Sequence, residues 1–156
     1  MNTIAPPPLA EPIPAEVIAW ARAEAVRTHR SAMELLEERL GLPASQLVCA
    51  LAAALHFRPV SMEELHRLAP AFDVLPFTEG MHRQCAAFRE ADGRLLLVCG
   101  DPFLPGMEAW AEERLGQPFS WALAHAADIA AWVARQEESL RAMETLVKAQ
   151  EEDIVS

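Results

Sequence analysis

The sequence predicts an α+β fold: N-terminal helices, then a small β-sheet packed with helices, then a long C-terminal helix. Three observations carry that reading. Apolar residues in the first third recur at helical spacing behind capping serines. From Val74 the pattern shifts to short strand-like runs, with a hairpin signal at Ala91-Asp92-Gly93. From about Ala126 the spacing returns to one near 3.5 residues and holds to about Lys148.

Residues 1–13, MNTIAPPPLAEPI, read as an extended or disordered leader because they are rich in proline. Pro14 suits a first helical turn, and Val17, Ile18, Ala21 and Ala25 share one helix face. Thr28-His29-Arg30 reads as a weak spot. Ser31 and Glu34 have the spacing of a capping box, Met33, Leu36 and Leu40 form a stripe, and Gly41 ends the helix. The next helix starts at Leu42-Pro43-Ala44-Ser45. Apolar residues on several of its sides (Leu47, Val48, Ala50, Leu51, Ala52, Ala53, Ala54, Leu55) predict burial on more than one face.

Phe57 to Val60 reads as extended, and Ser61 with Glu64 as a second capping box opening a helix that Pro70 must end. Val74-Leu75-Pro76-Phe77 reads as extended. The runs 84–90 and 94–99 flank Ala91-Asp92-Gly93 as a hairpin, with Gly93 left-handed. Unbroken apolar character from Leu95 to Cys99 predicts a central strand covered on both faces. A helix from about Met107 to Leu115 closes at Gly116, and Phe119 to Leu123 reads as an edge strand. The last helix carries Ile129, Trp132, Val133, Leu140, Met143 and Val147, interrupted by Gln136. The expected organisation is therefore a leader to residue 13, one domain over 14–148 and a linker from 149. Within the domain the helical part ends near 56 and the α/β part near 135.

Charge narrows the partners. A net charge of -10 and a pI near 4.9 argue against nucleic acid and anionic lipid, both of which call for lysine and arginine. The longest apolar run, Leu47 to Leu55, falls well short of the roughly 20 residues of a membrane span, and no basic, apolar signal peptide opens the chain. Cys49, Cys85 and Cys99, an odd count without CxxC spacing, read as reduced, buried thiols of a cytosolic protein.

Gly100-Asp101-Pro102 after the apolar run raises the question of a phosphate site. No GxxxxGK[ST] loop is present in the sequence, and Asp101 puts an anion where donors would be needed, so the segment reads as a turn. His29, His56, His66, His82 and His125 are scattered without metal-ligand spacing. Cys49 and His56 share a helix but have no third partner for nucleophilic catalysis. Four Glu-Glu pairs (37–38, 63–64, 112–113 and 137–138) read as solvated helix faces. No catalytic, metal or cofactor residue is expected.

Three segments together carry a resemblance: LGLPASQLVCALAAALHFRPVSMEELHRLAP (40–70), VLPF (74–77) and DGRLLLVCGDPF (92–103). Their order and spacing resemble the N-terminal domain of bacterial type II secretion ATPases and of the related ATPases of type IV pilus assembly. The likeness extends over roughly 31–135, where Met107, Trp110, Gly116, Leu123-Ala124 and Ile129 fall in matching places. It implies a non-enzymatic docking or regulatory module for protein transport. Such a module is cytoplasmic, held at the inner membrane through the cytoplasmic part of a platform protein, and followed by a motor domain beyond Ser156. Val17, Ile18 and Trp20, or the long last helix, are the expected contact surfaces.

A subfamily binds cyclic di-GMP through tandem motifs of the form RLGxxLxxxG plus a leucine-rich helix ending in glutamine. Gly41, Leu42, Leu47, Ala50 and Leu51 match the second half, with Ala54 in place of glutamine. Ala32, Met33 and Glu34 stand where Arg-Leu-Gly would, which removes the guanidinium that would meet the phosphate. Cyclic di-GMP sensing is the alternative function.

Overall fold

The computed structural model describes residues 11–155, and side chains as far as Glu151. The leader expected over 1–13 thus lies largely outside the described residues. Its end does not: Ile13 is buried, and its N–H donates to the Ala50 carbonyl (3.4 Å).

Three helices come first: α1 (Ala15–Thr28), α2 (Ala32–Leu40) and α3 (Ala44–Leu55). The break at Thr28-His29-Arg30 is complete, with His29 left-handed (φ 58°). Ser31 Oγ accepts from the N–H groups of Met33 (3.1 Å) and Glu34 (3.4 Å). The other arm of the expected capping box is replaced by an ion contact. The Glu34 carboxylate lies 3.8 Å from the Arg30 guanidinium, a charged partner that competes with the Ser31 N–H. Gly41 closes α2 at φ 61°, donating to Glu37 O. Helix α3 buries Leu47, Val48, Ala50, Leu51 and Ala52, so more than one of its faces is covered.

Five strands follow: β1 (Arg58–Pro59), β2 (Ala69–Pro70), β3 (Cys85–Arg89), β4 (Leu95–Cys99) and β5 (Phe119–Leu123), in the order β1-β5-β4-β3-β2. Their connections carry α4 (Met62–Arg67), α5 (Phe77–His82) and α6 (Met107–Leu115). At α4 the Ser61–Glu64 box is formed in both directions. The ladders β2–β3 and β3–β4 are antiparallel, whereas β4–β5 and β5–β1 are parallel. Between β3 and β4, Glu90 N–H donates to Arg94 O and Gly93 N–H to Glu90 O, each at 2.9 Å, with Gly93 at φ 85°. That is a three-residue loop with glycine in the left-handed position.

Strand β4 is the middle of the sheet and buried at every residue. Alternation divides it between two cores. Leu95, Leu97 and Cys99 join the cluster built on α2, α3 and α6. Leu96 and Val98 join Phe88, Leu65, Ile129 and Trp132 on the other face.

Three expectations are corrected here. Val74-Leu75-Pro76-Phe77 is a turn leading into α5, not a strand. The N–H groups of Val74 and Leu75 both donate to Ala71 O (3.0 Å each), and Pro76, which has no N–H, sits at the helix entry. Strand β5 is interior over its last residues, because Arg58 and Pro59 pair with Ala122 and Leu123. The last helix, α7 (Ala126–Val155), runs past Lys148 through the segment expected to begin a linker.

Candidate functional site

The turn after β4 is built from its own residues. Gly100 N–H donates to Gln84 O (2.9 Å), completing the β3–β4 ladder, so this amide is not free for an anion. Asp101 Oδ1 accepts from Phe103 N–H (2.9 Å), an Asx turn. Burial raises the Asp101 pKa, and that hydrogen bond partly offsets the effect. A Cβ on Gly100 would stand 3.1 Å from Ile129 Cδ1 and 3.3 Å from Ala126 Cα, so the glycine admits α7 to the sheet. The segment ends a strand and seats a helix.

Beside this turn opens a cleft of about 550 Å³ lined by Arg22, Phe57, Phe103, Met107 and Trp121, among others. Trp121 stacks on Phe57 (5.6 Å between centroids, 11°) and meets Phe119 edge-on (5.3 Å, 71°). The Arg22 guanidinium lies 5.6 Å from the centre of the Phe103 ring. The wall of this cleft is part aromatic and part polar. Its one carboxylate is Glu108, and it holds no histidine or cysteine, so it lacks the parts of a nucleophile–base pair. Sequence reasoning missed the cleft because its aromatic residues lie on β5, the β1 entry and the loop before α6.

The other chemical groups have structural roles. Cys85 and Cys99 face each other across β3–β4, and burial pushes both thiols up to about 12, far from nucleophilic range. His56 takes the left-handed C-cap of α3 (φ 61°), and among the described residues it makes no hydrogen bond with Cys49. His125 Nε2 bonds to Glu37 Oε1, joining α2 to the start of α7, while its Nδ1 accepts from Ala127 N–H (3.1 Å). Among the described residues no group of three or more His, Cys, Asp or Glu could hold a metal ion.

Val17, Ile18 and Trp20 are half-buried against the α2–α3–α6 core, and the Arg39 guanidinium sits 4.5 Å from the Trp20 ring centre. The exposed large apolar residue of α1 is Val26. In the cyclic di-GMP half-motif, Leu47, Ala50 and Leu51 are core residues and Gly41 is a helix cap. Ala32 and Met33 are buried as well. Among the described residues the exposed large apolar side chains of α7 are Leu140, Met143, Leu146 and Val147. Sequence spacing sets Leu140, Met143 and Val147 on a common row but does not show that the row is uncovered.

The fold and its turns define an α+β domain with a five-stranded mixed sheet and helices on both faces. A solved structure of MshE with cdg shares this fold, with a TM-score of 0.55 and 19% identity, covering 79% of this chain and 89% of that one. A solved structure of the N-terminal domain of XpsE is a second neighbour, with a TM-score of 0.49, 21% identity and coverage of 79% and 86%. No family model matches the sequence, and no curated protein does. Among the described residues no helix is long and apolar enough to cross a membrane.

Proposed function

We propose that this chain is a docking and regulatory domain of a secretion or pilus-assembly ATPase, binding the cytoplasmic part of an inner-membrane platform protein. The observation that carries the reading is the shared fold with MshE over most of both chains. It coincides with the motif order Leu40–Pro70, Val74–Phe77, Asp92–Phe103, which points to the same class of domain. The chemistry of the fold agrees. Buried thiols pushed up to about 12, a strand-end aspartate held in its own turn and capping histidines leave contact with another macromolecule as the work of the surface. In this reading the chain is not an enzyme; a motor domain following it would supply ATP hydrolysis.

Titration calorimetry with the purified cytoplasmic domain of the platform protein tests the proposal. Saturable binding supports it, and silence at high micromolar concentration overturns it.

The second reading is cyclic di-GMP sensing, favoured by the neighbour solved with cdg. Against it stand buried Ala32 and Met33 where the motif needs an arginine and a leucine. The same calorimeter separates the two readings, since micromolar saturation with cyclic di-GMP alone would favour the sensor.

A further inference from the structure

We infer that the outer part of α7 is a docking seam for an amphipathic helix whose flanks carry lysine or arginine. The apolar exposure of the molecule is concentrated there. Among the described residues six large apolar side chains are exposed, and five belong to this surface: Met81 at its root, then Leu140, Met143, Leu146 and Val147. Such concentration marks an interaction site, whereas isolated exposed residues do not.

The row has coiled-coil periodicity. Val133, Leu140 and Val147 recur every seven residues, and Ile129, Gln136 and Met143 recur every seven between them. Its inner end is already in use. Ile129 is buried and Val133 half-buried, and with Met81 and Cys85 they line an apolar groove of about 390 Å³ between α7 and the sheet body. The same row continues outward into solvent, so a partner helix seated in the groove finds about 21 Å of further seam between Val133 and Val147.

Charge selects the occupant. Glu137, Glu144 and Glu151 follow the Gln136–Met143–Gln150 positions along one flank, and among the described residues none of the three is in an ion pair. The opposite flank carries Ser139 and Leu146. Arg141 and Lys148 follow Glu137 and Glu144 by four residues and neighbour that flank on its outer side, but neither closes an ion pair with them among the described residues. A second copy laid antiparallel would set glutamate against glutamate, and a parallel copy would offer no cation to pair with them. The overall charge of -10 adds to that repulsion. Residues 1–10 do not fit either, since they hold three consecutive prolines and no basic residue. A basic-flanked helix supplies both the apolar knobs and cations on the seam side of the unpaired glutamates.

This inference rests on the docking reading and gives it a surface. The test uses the full chain and a labelled synthetic helical peptide with leucine along one seam and lysine on both flanks. A peptide of identical composition, scrambled so that no seam forms, is the control. Fluorescence anisotropy at physiological ionic strength should show binding of the seam peptide and much weaker binding of the scramble. Leu140→Ser with Met143→Ser should weaken it about tenfold or more. Glu137→Gln with Glu144→Gln should weaken it less and flatten its salt dependence. Both pairs change exposed or half-buried helix positions, and unchanged near-ultraviolet circular dichroism verifies the fold. Equal binding of the scramble, or undiminished binding by the Leu140→Ser, Met143→Ser chain, overturns the inference. So does sedimentation showing a dimer of the chain that this double variant abolishes. Seam-dependent peptide binding supports it even where the platform domain does not bind, so the two readings fail separately.

Discussion

Gly100 lies against Ala126: a side chain at Gly100 would bring a carbon to 3.3 Å from Ala126 Cα, and to 3.1 Å from Ile129 Cδ1. The end of the central strand and the start of the last helix therefore approach within the space of one missing methyl group. Ile129 and Trp132 can then reach the sheet face occupied by Leu96, Val98 and Phe88.

Gly100→Ala should destabilise the domain by about 1 kcal/mol, because the flexible Ile129 end can yield in part. Gly80→Ala should cost more, since its new carbon would meet the Cys85 backbone oxygen at 2.5 Å, and backbone cannot turn aside. Urea unfolding of both variants checks the order. A larger effect at Gly100 would contradict the packing described.

Trp132 is buried with its ring 5.1 Å from that of Phe88 at 63°. Trp132→Ala should lose about 3–5 kcal/mol, the usual range for removing a buried large aromatic. Leu140→Ala, eight residues farther along the same helix, should change stability by about 0.5 kcal/mol or less because its site is exposed. Thermal unfolding of the pair distinguishes the anchored part of α7 from its outer part.

Asp101 separates turn chemistry from charge. Asp101→Asn keeps an oxygen to accept from Phe103 N–H and removes a buried charge, so at neutral pH it should be neutral or stabilising. Asp101→Ala leaves that N–H without its acceptor and should cost about 1–2 kcal/mol. The sign with pH follows from the raised folded pKa. The favourable contribution is complete below the ordinary 3.8 and is lost as pH rises through the folded value. The stabilising effect of Asp101→Asn over wild type should accordingly shrink in acid.

Asp73 and Glu79 behave in the opposite way. Hydrogen bonds from Arg89 and Arg114 hold their carboxyls below the ordinary values of 3.8 and 4.5. Their contribution is complete above those values and is lost as pH falls through the depressed ones. The Asp73 pair is exposed and the Glu79 pair largely open to solvent, so the effect should be small and sensitive to salt. Melting temperature followed from neutral pH into acid should fall less steeply in Arg89→Gln and Arg114→Gln than in wild type.

Ser61→Ala removes one arm of a complete capping box and should cost about 1 kcal/mol. Ser31→Ala should cost a similar or smaller amount, because at Ser31 the return arm is replaced by the Glu34–Arg30 contact. Chemical denaturation of the two single variants measures the difference.

Local chemistry explains why much of this fold is readable from the chain. Ser31, Gly41, Ser61, Gly93 and Gly116 each act within a few residues of themselves, on caps and turns that need no distant partner. The unbroken apolar run Leu95–Cys99 likewise foretells a strand with cores on both faces. Tertiary structure decided the rest. Val74–Phe77 has strand-like composition, yet Pro76 stands at a helix entry because the chain must turn back from β2 to reach β3. Cys85 meets Cys99, and Trp121 meets Phe57, only through strand pairing and stacking between distant segments. The row on α7 was visible as a period, since spacing along a helix is set by its geometry. That its inner end is covered while Leu140, Met143 and Val147 stand open depends on where the sheet body stops, a property of packing that no local pattern encodes.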